Sequence, residues 1–124
     1  MAKLIDTKLN RLRKGESPRV LDLFSGCGGF SLGFQRAGCT LIGGVELDSH
    51  AAASHALNFH GHLQGTPLFD AHAMSRDISA QDPHVLMKEL GHDCPETAVD
   101  FLIGGPPCPA FARVGRVKLR EIHA

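Results

Sequence analysis

Arg19-Val-Leu-Asp-Leu-Phe-Ser-Gly-Cys-Gly-Gly-Phe-Ser-Leu-Gly33 passes from a short apolar run through a glycine cluster into a helical pattern. Arg19 to Phe24 is too short for a helix and reads as a buried strand that ends in the glycine loop. Phe30, Gly33, Phe34 and Ala37 then recur at helical spacing, and Gly38 supplies a stop. Glycines in such a turn let the backbone approach a ligand closely, and the free N–H groups of the helix start favour ligand oxygens.

Outward from this unit the pattern repeats. Thr40 to Leu47 reads as a second strand, and Asp48-Ser49 caps a helix through His50–Phe59. Residues 61–74 read as loop, because Gly65 and Pro67 interrupt any period, and Ser75–Ser79 as a short third strand and turn. Asp82-Pro83 opens a helix to Leu90, residues 91–97 are loop, and Ala98–Ile103 is a fourth strand. Alternating strands and helices predict an α/β fold: a Rossmann-like, doubly wound parallel sheet with right-handed crossovers, incomplete at about four strands. An uncovered sheet edge on so short a sheet is expected to pair, by dimerisation or strand exchange. Residues 1–18 form a basic N-terminal arm, 19–112 the α/β body and 113–124 a basic C-terminal tail.

Composition narrows the class. The chain has 124 residues, 43% of them hydrophobic, with seven Phe and no Trp or Tyr, so a single modest core must rest on aliphatics. No apolar run approaches a membrane span and the N-terminus lacks the form of a secretory signal, so the expected location is the cytosol. Cys27, Cys39, Cys94 and Cys108 have neither CxxC spacing nor the density of a disulfide scaffold and read as thiols. Of the eight histidines only His60 and His62 cluster, without further ligands at useful spacing, so no metal site is expected. Net charge is zero but uneven: residues 1–20 carry six basic and two acidic side chains, 113–124 four and one, and 21–112 three and ten. Arg113, Arg116, Lys118 and Arg120 suit a phosphate-bearing partner, or equally a solvated helical end.

Two features carry chemistry. Glu46 lies 24 residues beyond Asp22 at the end of the second strand. Nucleotide-binding folds place a carboxylate about 20 residues on, where it accepts hydrogen bonds from ribose hydroxyls. As a helix cap, the competing role, Asp48 fits better than Glu46. The second feature is Gly104-Gly-Pro-Pro-Cys-Pro109, directly after an apolar strand. Its prolines fix φ and remove donors, so the loop continues neither strand nor helix. Cys108 is thereby presented beyond a strand's carboxyl end, where open α/β sheets bind their substrates.

Taken together, Asp22–Gly33, Gly44-Val-Glu-Leu-Asp48, Arg76-Asp-Ile78 and Gly104–Phe111 resemble, in the same order, the DNA cytosine-C5 methyltransferases, over roughly residues 19–116. The resemblance implies the S-adenosylmethionine-dependent methyltransferase fold, with the first and last strands as neighbours, and double-stranded DNA as substrate, in a restriction-modification setting in the bacterial cytosol or nucleoid. It implies S-adenosyl-L-methionine as cofactor, leaving as S-adenosyl-L-homocysteine. Phe24, Ser25, Gly26, Cys27, Gly28 and Gly29 would hold its methionine part, Glu46 and Leu47 its ribose, and Asp77 the adenine amino group. Ile78 would pack on the ring, and Gly105 and Pro106 would complete the pocket. Cys108 would be the nucleophile. Its thiolate adds to C6 of a flipped-out cytosine, making C5 enamine-like and able to attack the methyl group; loss of the C5 proton then expels the thiolate. The loop must therefore favour the thiolate. Arg113 and Arg116 would touch DNA phosphates, which position without specifying.

Pro109 and Ala112 stand where the family often has Gln and Ser. The family's later Glu-Asn-Val and Gln-x-Arg-x-Arg elements and its target-recognition region do not occur in these 124 residues. The expectation is thus an N-terminal half that transfers little alone and works with a second polypeptide or a C-terminal half. A non-catalytic cofactor-binding remnant or interaction module is the competing reading. A nicotinamide dehydrogenase fits worse, since the glycines do not match G-x-G-x-x-G and Pro-Pro-Cys goes unexplained.

Overall fold

The computed structural model describes residues 2–106. The expected elements at Pro107–Phe111, with Cys108, and the tail with Arg113 and Arg116 lie outside the described residues. The order is α1 (Ala2–Arg13), β1 (Arg19–Leu23), α2 (Gly29–Arg36), β2 (Thr40–Val45), α3 (Ser49–His60), a 3-10 turn (Gly61–Leu63), α4 (Pro67–Ala73), α5 (Pro83–Glu89), α6 (Pro95–Ala98) and β3 (Phe101–Gly104).

The strands form one parallel sheet in the order β2-β1-β3. Val20 pairs with Leu41 and with Phe101, and Leu23 with Val45 and with Gly104. β1 is therefore central, and its alternation sorts the two layers. Leu21 and Leu23 face α5, where Ile42, Val45, Leu86, Met87, Leu90 and Ala98 complete the main core. Val20 and Asp22 face the opposite way, and Asp22 meets Ser31 of α2. Met87, Val20 and Val45 are fully covered, each contributing about 1.5–3 kcal/mol of transfer free energy.

The expected Rossmann-like parallel α/β architecture holds, with β1 and β3 as neighbours, but three local expectations are corrected. Ser75–Ser79 is not a strand, so the described residues hold three strands rather than four. Its one backbone bond to the end of β2 is Arg76 N–H to Glu46 O at 2.8 Å. Asp77 Oδ1 then accepts from Ser79 N–H and Oγ, an Asx-type turn that ends the extension. Residues 61–74 are not all loop: Pro67 starts α4 instead of breaking it, with Thr66 Oγ1 accepting from Phe69 N–H at 3.2 Å. The 91–97 loop ends in the single turn α6, again opened by a proline at N1, which delays β3 to Phe101.

α1 straps the bottom of the sheet. Lys8 Nζ donates to Val99 O and Arg11 Nη2 to Asp100 Oδ1. Asp100 in turn joins β3 to β1: Arg19 N–H donates to its Oδ2 at 2.8 Å, and its own N–H donates to Arg19 O at 2.9 Å. Opposite charges, a buried carboxylate and a reciprocal backbone pair thus fix where β3 joins. At the other end Gly104 is required by space: a Cβ there would lie 2.7 Å from Leu23 O.

Candidate functional site

The glycine turn leaves the carboxyl end of β1 with three left-handed residues in five: Phe24 (φ 56°), Gly26 (φ 55°) and Gly28 (φ 113°). Glycine tolerates this, whereas Phe24 carries strain of order 1 kcal/mol or more. The turn is held from β2. Ser25 N–H donates to Val45 O at 3.1 Å, and Glu46 accepts Gly26 N–H on Oε1 and Asp48 N–H on Oε2, both at 2.9 Å. Glu46 is therefore the hinge pin between the two strand ends. Asp48, not Glu46, caps α3, accepting from Ala51 N–H at 2.9 Å.

Beneath the turn sits a buried polar chain. Ser31 Oγ donates to Asp22 Oδ2 at 2.6 Å and lies 2.8 Å from His55 Nε2. The hydroxyl has one proton, already given to Asp22, so His55 must donate through Nε2. Burial lowers His55 to about 4, against the pull of Glu46, so it is neutral at pH 7 in the Nε2–H tautomer. Burial raises the Asp22 carboxyl, partly offset by the Ser31 hydroxyl and amide. His55 packs against Phe59 in a tilted arrangement with centroids 4.7 Å apart, and a Cβ on Gly28 would meet the Phe59 ring at 2.2 Å. Gly28 thus has a steric reason beyond its φ.

These elements frame a hollow of about 600 Å³ at the carboxyl ends of the strands, lined by Phe24, Val45, Glu46, Leu47, Asp48, Arg76, Asp77, Ile78 and Gly105. That volume lies in the range of small-molecule sites. Of the residues singled out in the sequence, Phe24, Glu46, Leu47, Asp77, Ile78 and Gly105 meet here. Ser25 is buried behind the wall, and Gly26 meets Glu46 through its amide. Cys27, Gly28 and Gly29 line a separate hollow of about 420 Å³ with Leu32 and Phe59, and Pro106 is exposed beyond β3. Sequence reasoning missed Arg76 as a wall residue, although it adjoins Asp77, and missed Ser31 and His55, which no local spacing signals. Asp77 is held below the usual carboxylate range by its bonds from Ser79, so it is an ionised acceptor.

His60 stacks on His72 with centroids 3.6 Å apart, away from this pocket. Among the described residues no three His, Cys, Asp or Glu side chains gather as a metal site needs, and Cys27, Cys39 and Cys94 are free. No helix among them is long and apolar enough to cross a membrane.

A parallel sheet, a strained glycine turn and a carboxylate at the next strand's end define a Rossmann-like α/β domain with a hollow at the strand ends, where such folds bind ligands. A model of the C-5 cytosine-specific DNA methylase family matches residues 18–121. The type II methyltransferase M1.HphI of Haemophilus parahaemolyticus is 35% identical over 97 residues, covering 78% of this chain and 23% of the relative. The type II methyltransferase M.AplI of Arthrospira platensis is 39% identical over 100 residues, covering 80% and 22%. The DNA (cytosine-5)-methyltransferase 1 of Mus musculus is 35% identical over 106 residues, covering 82% and 6%. No solved structure matches. The chain belongs to the C-5 cytosine-specific DNA methylase family, whose members are enzymes that use a methyl donor and act on DNA. It spans about a fifth of the length of these bacterial relatives.

Proposed function

We propose that this chain supplies the donor-binding and nucleophile-bearing part of a DNA (cytosine-5-)-methyltransferase that uses S-adenosyl-L-methionine. One observation carries the reading: Glu46 and Gly105, just beyond the ends of β2 and β3, line one pocket of nucleoside size together with Asp77 and Ile78 of the irregular 74–78 segment. Glu46 spends one lone pair of each oxygen on a backbone amide, so its remaining lone pairs suit a ribose diol. Asp77 commits only Oδ1 among the described residues, which leaves Oδ2 for an exocyclic amine. Phe24, Leu47 and Ile78 supply apolar walls for the purine. When bound, the donor supplies an electrophilic methyl group. Gly105 is both a wall of this pocket and the start of the segment that leads, three residues on, to Cys108. Cys108 is proposed to add to cytosine C6, and Arg113 and Arg116 to contact DNA phosphates, in the cytosol or nucleoid where the DNA lies.

We further infer that the β3 side takes a partner. Phe101 and Leu102 are 47% and 62% exposed, and Leu23, Ile78, Pro83, Leu86 and Leu102 border an apolar groove of about 360 Å³ beside them. The proposed occupant is a segment bearing the family's later elements, carried either by a second polypeptide or by a C-terminal half of the same protein, because the groove and the exposed β3 side chains are apolar. A homodimer through the same edge is the competing occupant. Sedimentation of the purified chain at high concentration is expected to show self-association through this edge when the partner is absent; a clean monomer would count against an adhesive edge.

The catalytic test is transfer of labelled methyl groups to DNA. The chain alone is expected to transfer little, and the chain with a separately expressed polypeptide carrying the later elements to transfer readily. Cys108→Ser is expected to lower that rate roughly a thousandfold or more, as loss of a nucleophile does. Full activity of the Ser variant would sink the covalent reading.

A further inference from the structure

Arg76 occupies an unusual position for a charged side chain. It is 5% exposed as a residue, yet it belongs to a segment that is neither helix nor strand. Its backbone N–H donates to Glu46 O at 2.8 Å, which ties it to the exit of β2. Its guanidinium reaches the other way. Nη1 donates to Ala71 O at 2.7 Å, at the end of α4, and Nη2 pairs with Glu89 Oε2 of α5 at 2.9 Å. The next two residues, Asp77 and Ile78, line the same pocket as Phe24 and Gly105.

We propose that Arg76 is a positioning residue that, braced by Glu89, sets the angle at which Asp77 meets the purine amino group, and so makes the pocket select adenine. The inference rests on the donor reading given above and deepens it. The segment 74–78 has no strand ladder to hold it, and Ser79 fixes only the local turn of Asp77. Its placement relative to β2 therefore depends on Arg76, which joins three elements at once, together with the Ser75 hydroxyl, which donates to Leu47 O just beyond β2. A guanidinium this deeply buried needs its counter-charge, because an uncompensated buried cation is strongly disfavoured. Glu89 is the carboxylate that provides it, and its side chain is 40% exposed and absent from the pocket wall. Neutralising Glu89 should thus be felt at the pocket without touching ligand.

The measurement is calorimetric binding of S-adenosylhomocysteine and of its deaminated analogue S-inosylhomocysteine, in which a carbonyl replaces the amine. The wild-type chain should prefer the adenine compound by about tenfold or more, the worth of one charge-assisted hydrogen bond. Glu89→Gln and Arg76→Lys should compress that ratio severalfold, Glu89→Asp should restore it, and Glu89→Gln should add nothing in an Asp77→Asn background. A merely structural role would weaken both compounds equally and leave the ratio intact; that result overturns the proposal. Should Arg76 variants fold poorly, the partly exposed Glu89 variants decide the matter alone. A wild-type chain that binds neither compound removes the donor reading itself, and the brace with it.

Discussion

Acidification from pH 7 to pH 4.5 is expected to unfold this chain. Three buried histidines cause it. Burial lowers His60 to about 3, aided by the charges of His72, His55, His62 and His92. Burial lowers His72 to about 4, with Arg76, His92, His55 and His62 adding repulsion, and His55 also lies at about 4. In the unfolded chain each titrates near 6.5, so between about pH 6.5 and 4 the unfolded state binds more protons and stability falls as pH falls. Stability from these groups is fully present above about pH 6.5 and lost through that window. Each group is worth on the order of a few kcal/mol, comparable in sum to the whole stability of a small domain. His60 Nε2 and His72 Nδ1 are also buried without hydrogen-bond partners, so neither ring has an acceptor waiting for a new proton. Asp22, raised by burial, acts in the opposite sense, but it is one group against three. Urea midpoints measured from pH 7.5 to 4.5 should drop steeply, and replacing His60 and His72 together by Phe should flatten the profile. A wild-type midpoint unchanged between pH 7 and 5 would contradict the burial of these rings.

Glu46→Ala is expected to abolish measurable binding of the proposed donor, with at least a hundredfold loss. Two effects add. The ribose diol loses a charged acceptor, worth about 1.5–3 kcal/mol per hydrogen bond. The amides of Gly26 and Asp48 also lose their partner, so the strained turn at Phe24 is no longer pinned to β2. Glu46→Gln keeps one acceptor oxygen and the side chain's length, and about a tenfold loss is expected. Calorimetry with S-adenosylhomocysteine checks both, and a thermal midpoint for the Ala variant separates loosening from lost contact. Less than a threefold change for Glu46→Ala would remove Glu46 from the site.

The elements legible in the sequence were those with strong local signals. β1 with its glycine turn, Asp48 as cap of α3 and Asp82-Pro83 at the start of α5 are each written in a few neighbouring residues. Two of the three corrections turn on proline. At Pro67 and Pro95 it opens a helix, and only Thr66 ahead of Pro67 signals it. Ser75–Ser79 has strand composition, but the hydroxyl and amide of Ser79 on Asp77 divert the chain. Much of the site could be read because strand ends gather by topology. The buried chain from Asp22 through Ser31 to His55 could not, since it joins residues on β1, α2 and α3 that meet only once packed.

The placement of β3 sets an order of events during synthesis. β1 and β2 meet after about twenty residues, whereas β3 reaches β1 across about eighty. Closing the longer loop costs more entropy and happens later. A nascent chain can therefore assemble the glycine turn and Glu46 while the segment that carries the thiol is still inside the ribosome.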